Sequence, residues 1–259
     1  MIKNIIKGIK AYGGTLQLIS KLGLWKYFGV PIIISIVSAA LIGLLAWAMS
    51  DSIGGLIAKI WFWDWGAETF RKISDFLGAL TIIALGLITY KHIILALSAP
   101  FMSPVSSTIE AHLLGETHQH RDTTNAAQLW RGVRINVRNL LLEFMFTIPL
   151  LILSFIPGVN IVTGILIFII QAYYAGFGNM DYTLERHFKY DESTKFVRNN
   201  SGVAIGNGIV FMAMLFIPVI GIILVLPLSV TASTTETVRL LKETGTLKIE
   251  KSQNKVINV

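Results

Sequence analysis

The chain has no cysteine among its 259 residues, which excludes disulfides, thiolate metal sites and cysteine nucleophiles. Charged residues are also scarce, because they make up 14% of the chain, against about 25% in a typical soluble domain. Hydrophobic residues reach 53% and lie in several long runs. The shortage of charge therefore indicates an integral membrane protein whose main solvent is lipid.

Common signatures of enzymes and of nucleic-acid-binding proteins are missing too. The sequence has no phosphate-binding loop ending in Gly-Lys-Ser/Thr, no Gly-x-Ser-x-Gly elbow and no His-Glu-x-x-His pair, so no enzyme class is indicated. The histidines around residue 118 match no metal-site spacing, and we expect neither a metal nor a cofactor. The net charge is +7, but without a basic recognition helix it favours anionic membrane lipid over nucleic acid as the partner.

Two apolar runs predict full membrane spans. Residues 28–50 carry no charge and are long enough to cross a hydrocarbon core of ~30 Å. A second span starts near Phe76 and continues past Lys91 and His92 until Pro100 stops it, because proline disfavours helix before it. Lys91 is then expected to snorkel to the membrane interface.

The segments before and between these spans are typical of the membrane interface. Residues 1–20 predict one amphipathic helix with isoleucines on one face and lysines on the neighbouring face, at Ile2, Ile5, Ile6, Ile9, Lys3, Lys7 and Lys10. Such a helix lies in the interface plane with its lysines toward the headgroups. The connection 51–75 carries an aromatic cluster that reads as an interface belt, at Trp61, Phe62, Trp63 and Trp65.

Two later apolar units are each broken at a Phe-Ile-Pro sequence. The first comprises 140–156 and 159–178, and the second comprises 203–217 and 219–230. A helix rises 1.5 Å per residue, so neither arm of the second unit crosses a ~30 Å core alone. We therefore predict hairpins that enter the membrane part-way and return. For the first unit, two tilted spans remain the alternative.

The predicted fold class is an all-α integral membrane protein with two transmembrane helices, two half-penetrating helical hairpins and an amphipathic N-terminal helix. Residues 1–240 are expected to form one membrane domain, followed by a polar tail over 241–259. Residues 1–27 carry five lysines and no acidic residue, and basic segments stay on the cytoplasmic side. We thus expect both termini in the cytoplasm, although insertion in both orientations stays open.

Several short motifs occur in an order that resembles a known family. They are Ser20-Lys21-Leu22-Gly23-Leu24-Trp25-Lys26-Tyr27, Ala99-Pro100-Phe101, Glu110 with Leu114-Gly115, Phe155-Ile156-Pro157-Gly158, Asp181-Tyr182 and Ile217-Pro218. Together they resemble the CysZ-type sulfate permeases and the related etoposide-induced-protein family, over about Gly8 to Leu240. The resemblance implies a homo-oligomer in the cell inner membrane. It also implies uptake of sulfate or a related oxyanion for cysteine synthesis, without ATP hydrolysis by this chain.

The resemblance further implies an anion site at a Gly-x-Arg-Arg turn, which reads Gly23-Leu24-Trp25-Lys26 here. Trp25 and Lys26 replace the two arginines of that turn. The unpaired N–H groups of a helix start, an unhindered glycine and one lysine could still bind an oxyanion, but lysine does not provide the bidentate grip of arginine. The alternative is a turn followed by an interface anchor.

Other polar residues have two interpretations each. Arg131, Arg134 and Arg138 predict a basic entrance to a pore or contacts with lipid headgroups, and the breaks at Pro157 and Gly158 are expected to line the polar path. Asp181 is expected to pair with an arginine, whereas Glu143 could face the interface or the protein interior. The alternative function is a membrane scaffold or lipid-interacting protein without transport.

Overall fold

The computed structural model describes residues 1–58, 67–115, 124–154, 158–217 and 220–247. These residues form helices and their connections, which confirms the expected all-α class. The helices are α1 Ile2–Lys10, α2 Thr15–Lys21, α3 Gly29–Ala58, α4 Ala67–Leu97, α5 Ala99–Leu114, α6 Asn125–Leu153, α7 Asn160–Leu184, α8 Tyr190–Asn199, α9 Ser201–Leu215 and α10 Ile220–Glu243, with a short 3₁₀ helix at Leu24–Tyr27.

Three pairs of neighbouring helices pack as hairpins: α3 with α4, α6 with α7, and α9 with α10. In the second pair, Gly178 faces the side chain of Asn136. In the third, the Asn207 amide donates to the Ser229 carbonyl oxygen at 3.0 Å. Helix α7 also packs closely on α9, so the second and third hairpins form one helical core.

The first predicted span is confirmed as a helix of suitable length and composition, because Gly29–Met49 within α3 is strongly apolar. The first broken unit is longer than expected. Helices α6 and α7 contain 29 and 25 residues, and each is long and apolar enough to cross a membrane. The alternative of two tilted spans fits these lengths, and the number of membrane crossings stays a prediction.

The second broken unit keeps the short arm that the sequence indicates. Helix α9 has 15 residues and therefore rises only ~22 Å. It ends at Leu215, and α10 begins at Ile220, so the break falls where Pro218 predicts it. Helix α10 continues to Glu243, beyond the expected end at residue 230.

The second predicted span has different boundaries from those expected. Helix α4 begins at Ala67 instead of Phe76 and ends at Leu97, where the chain bends by 67° into α5. Pro100 lies in the first turn of α5, where its missing N–H leaves no hydrogen bond unmade. The aromatic cluster at residues 61–65 lies outside the described residues.

The N-terminus forms two helices, so the prediction of one helix over 1–20 is wrong. The chain turns between α1 and α2, with Gly14 at a φ of 83°. Helix α1 packs on α9 at Gly8 and Gly206, because the absence of side chains lets the two backbones approach. Ile2 and Ile6 remain exposed, as expected for an apolar face in contact with lipid.

Candidate functional site: a buried charge cluster between α4, α6 and α7

A lysine and a glutamate form an ion pair inside the helical core. The Lys91 Nζ lies 2.6 Å from the Glu143 Oε1, and both side chains are 0% exposed. Lys91 also donates to the Gln171 carbonyl oxygen at 3.2 Å. The prediction that Lys91 snorkels to the interface is therefore wrong, because the glutamate and a carbonyl oxygen satisfy the ammonium group in the interior. Glu143 faces the interior, which decides the question that the sequence left open.

His92 extends this pair into a network. Its Nε2 lies 3.0 Å from the second oxygen of Glu143, and its Nδ1 lies 3.2 Å from the Asn136 Oδ1. The Asn136 amide nitrogen donates to the Gly132 carbonyl oxygen at 2.9 Å, so its Oδ1 is the atom that faces the histidine. Two apolar helices thus bring three ionisable side chains together, and such groups within membrane helices mark functional sites by default.

The cluster lies on the buried face of α6, and most side chains of this face are polar. The buried residues on this helix are Gly132, Ile135, Asn136, Asn139, Glu143 and Thr147. Glu143 is ten residues before the last residue of α6, or ~15 Å along the axis. If the end of α6 lies at a membrane surface, Glu143 lies near the middle of a ~30 Å hydrocarbon core.

Two groups beside Glu143 retain hydrogen-bonding capacity. The Asn139 Nδ2 and the Thr147 Oγ1 are buried and have no hydrogen-bond partner within the described part of the chain. Asn139 already accepts from the Arg138 guanidinium through its Oδ1 at 3.2 Å. The two residues lie one helical turn before and one turn after Glu143. This face of α6 therefore presents additional donors next to the ion pair.

A second ion pair, between Arg131 and Asp181, is already complete. The Arg131 Nε and Nη2 donate to the two Asp181 oxygens at 3.0 and 2.8 Å. Nη2 also donates to the Ser193 hydroxyl, and Nη1 donates to the Phe188 carbonyl oxygen. The expectation that Asp181 pairs with an arginine is confirmed. Because its donors are used in this way, Arg131 joins α6 to α7 and α8.

A model of the family described as sulfate transporter CysZ/etoposide-induced protein 2.4 matches residues 11–225 of the chain. The chain belongs to this family. No curated protein matches the chain significantly. The family is described as one of transporters, and the long apolar helices suit a membrane protein.

The turn that corresponds to the family's expected anion site has a defined conformation. Gly23 is exposed at a φ of 62° and precedes the 3₁₀ helix. Leu24 is buried, the Trp25 indole donates to the Ser20 hydroxyl at 3.1 Å, and the Lys26 amino group lies 5.2 Å from the Tyr27 ring centre. Helix α3 begins only at Gly29, so this turn precedes the first span instead of opening it. Its anion-binding role stays a prediction.

The other predicted pore residues lie in two places. Arg134 stacks over the Tyr190 ring at 4.3 Å, and Arg138 lies 5.8 Å from the Phe177 ring centre. Like Arg131, both thus face α7 and α8. Gly158 is exposed in the connection between α6 and α7 at a φ of 86°, and Pro157 lies outside the described residues.

The CysZ-type motif residue Glu110 forms another buried cluster, at the end of α7. Its carboxylate accepts from Arg186 at 2.7 Å, and its other oxygen lies 2.7 Å from the Nε2 of His187. Arg186 also donates to the Ser106 hydroxyl at 2.7 Å. This cluster joins α5 to α7 and gives a structural reason for Glu110 in the motif.

The sequence contains a signal for the Lys91 cluster. Glu143 is the one charged residue in 140–177, and Lys91 with His92 interrupts an apolar run. Opposite charges in two apolar helices can satisfy one another in the interior. Pairing them would have placed α4 beside α6.

Proposed function

We propose that this chain is a permease or channel for sulfate or a related oxyanion. The observation that carries the proposal is the match to the CysZ sulfate-transporter family over residues 11–225. The buried Lys91 and His92 side chains of α4 are consistent with a path for an anion. Transport would occur in the cell inner membrane, feed sulfur assimilation and require no ATP hydrolysis by this chain.

The proposed path begins at the Gly23–Lys26 turn. Gly23 leaves the backbone accessible, the first N–H groups of a helical turn have no acceptor within it, and Lys26 adds a full charge. Arg134 and Arg138 would attract oxyanions toward the helix hairpins, and Gly158 would lie along the path. Because the short arm α9 cannot cross the membrane alone, we propose that several copies surround the polar path. We propose that both termini lie in the cytoplasm, because the N-terminus is rich in lysine.

Radiolabelled sulfate uptake into liposomes that contain the purified full-length protein tests this proposal. Circular dichroism and size-exclusion chromatography establish that the protein is folded. We expect uptake above that of empty liposomes, and unlabelled oxyanions added as competitors identify the preferred substrate. Uptake equal to that of empty liposomes, with folded protein, rejects sulfate transport.

The alternative function is a scaffold or lipid-interacting protein without transport. The exposed isoleucines of α1 favour it, because Ile2 is 75% and Ile6 46% exposed beside lysines. In that case no oxyanion is transported, and removal of residues 1–10 releases the chain from an assembly or changes its lipid preference. Oxyanion flux that survives this deletion supports transport.

A further inference from the structure

The hydrogen bonds of the Lys91 cluster determine how many protons it holds. Because the Asn136 Oδ1 can only accept, the His92 Nδ1 must carry a proton. The His92 Nε2 and the Glu143 Oε2 face each other at 3.0 Å, and a hydrogen bond between them requires one further proton on either atom. The pair is therefore either imidazolium with carboxylate or neutral imidazole with carboxylic acid. Both forms have zero net charge.

Lys91 then leaves the cluster with one positive charge in excess. A single carboxylate is shared between the ammonium group of Lys91 and the ring of His92. An uncompensated charge in a low-dielectric interior is costly, and proteins normally pair it. Among the neighbouring ionisable side chains, Tyr174 of α7 is uncharged and Arg138 of α6 is cationic at neutral pH, so neither supplies a second negative charge. The cluster is thus suited to an added anion.

The nitrogens that contact the Glu143 carboxyl group can also contact an oxyanion. The two carboxylate oxygens are contacted separately, one by Lys91 at 2.6 Å and one by His92 at 3.0 Å. Two oxygens of a tetrahedral oxyanion can accept from the same nitrogens. The buried Asn139 Nδ2 and Thr147 hydroxyl, which have no partner within the described residues, are available for its remaining oxygens.

We propose that Lys91, His92, Asn139 and Thr147 form an oxyanion-binding site within the membrane, and that the Glu143 carboxylate occupies this site when the anion is absent. The inference rests on the proposed oxyanion transport and adds a site distinct from the Gly23–Lys26 turn. The oxyanion displaces Glu143 when the His92–Glu143 pair takes up one more proton, which leaves a neutral carboxylic acid and an imidazolium. Lys91 and protonated His92 then carry two positive charges, which match a divalent anion. Each divalent anion at the site is thus accompanied by one added proton.

Sulfate binding to the purified full-length protein tests the site, with flux in liposomes as the second measurement. In Glu143→Gln the amide no longer competes as an anion. We expect its sulfate Kd at about pH 8 to fall at least about tenfold. Its flux should keep a rise toward about pH 6, because His92 must still gain a proton for the site to carry two positive charges. Lys91→Gln should raise the Kd at least about tenfold. Glu192→Gln, an exposed glutamate on α8, serves as the matched control and should leave both measurements unchanged.

A double variant separates binding from folding. Lys91→Gln with Glu143→Gln removes both charges of the ion pair while keeping the side-chain sizes, so the interior holds no isolated charge. We expect this variant to fold and to bind sulfate at least about tenfold more weakly than the wild type. A folded double variant with unchanged Kd, or a Glu143→Gln protein with unchanged or weaker binding, overturns the inference. If the wild type transports sulfate while these results are negative, the proposed function stands and only the site is rejected. Absence of transport by the wild type rejects the proposed function itself.

Discussion

The contact between α7 and α9 provides a sharp test of the fold, because the two helices meet backbone to backbone. A Cβ built on Gly208 of α9 comes within 2.7 Å of the Ala172 Cα in α7, and nearer still to its carbonyl group. One turn away, a Cβ on Gly176 of α7 comes within 2.9 Å of the Ala204 Cα. Non-bonded carbon atoms pack at about 3.5–4.0 Å, so an alanine at Gly208 requires the helices to separate by about 1 Å. A tilt of α9 against α7 cannot relieve this clash, because the close approach of Gly176 to Ala204 lies only one turn away.

We expect Gly208→Ala to lower the free energy of unfolding by about 3 kcal/mol, the upper end for overpacking, because no flexible side chain can move aside. The midpoint of thermal unfolding in detergent, followed by circular dichroism, should fall by about 6–12 °C. Gly164→Ala on α7 is the matched control, since a Cβ at Gly164 meets no atom within 4 Å. That change should be neutral or stabilise by up to about 1 kcal/mol. Equal midpoints for the two variants would refute the close approach of α7 and α9.

Three further predictions address the charged groups outside the Lys91 cluster. Asp181→Asn should lower the free energy of unfolding by about 3–5 kcal/mol, because a half-buried arginine loses its counter-ion; denaturant unfolding measures this loss, and the exposed Asp191→Asn should not show it. Burial raises the pKa of Glu185, just beyond α7, from 4.5 to about 7. The folded protein therefore retains a proton that the unfolded chain releases, and stability should fall as pH rises through this range; an unchanged pH profile of unfolding in Glu185→Gln contradicts this reasoning. If the turn before α3 binds oxyanions, Lys26→Gln should raise the sulfate Kd by about tenfold, since one charge-assisted hydrogen bond is lost. Lys21→Gln should bind like the wild type, and equal binding by both variants argues against the turn.

The sequence predicted those features that depend on local composition. The uncharged run at 28–50 corresponds to the apolar part of α3, and the break near Pro218 falls between α9 and α10. The pairing of Asp181 with an arginine was also predicted, because an acidic residue beside an apolar run needs a partner. Each of these inferences uses the chemistry of a short segment.

The features that the sequence did not predict depend on which helices are neighbours. The sequence predicts that Lys91 reaches the membrane interface, because a single helix in lipid offers its ammonium group polar surroundings only there. In the folded chain α6 supplies Glu143, and α7 supplies a carbonyl oxygen. Similarly, the first hairpin was judged by its uncharged residues alone, whereas α6 begins at Asn125 with a polar N-terminal part that packs against α7 and α8. Tertiary partners thus allowed polar residues in positions that an isolated helix would not tolerate.

Helix α6 carries two charged centres whose roles follow from their charge balance. Arg131 and Glu143 are twelve residues apart, or ~18 Å along the axis. At Arg131 the guanidinium is matched by one carboxylate and its donors are used by Asp181, Phe188 and Ser193, so this centre gains nothing from an added anion. At Glu143 one carboxyl group is shared between Lys91 and His92, and neighbouring donors have no partner within the described residues. A balanced pair stabilises the packing of α6 on α7 and α8, whereas the centre with an excess positive charge is the one that an oxyanion can neutralise.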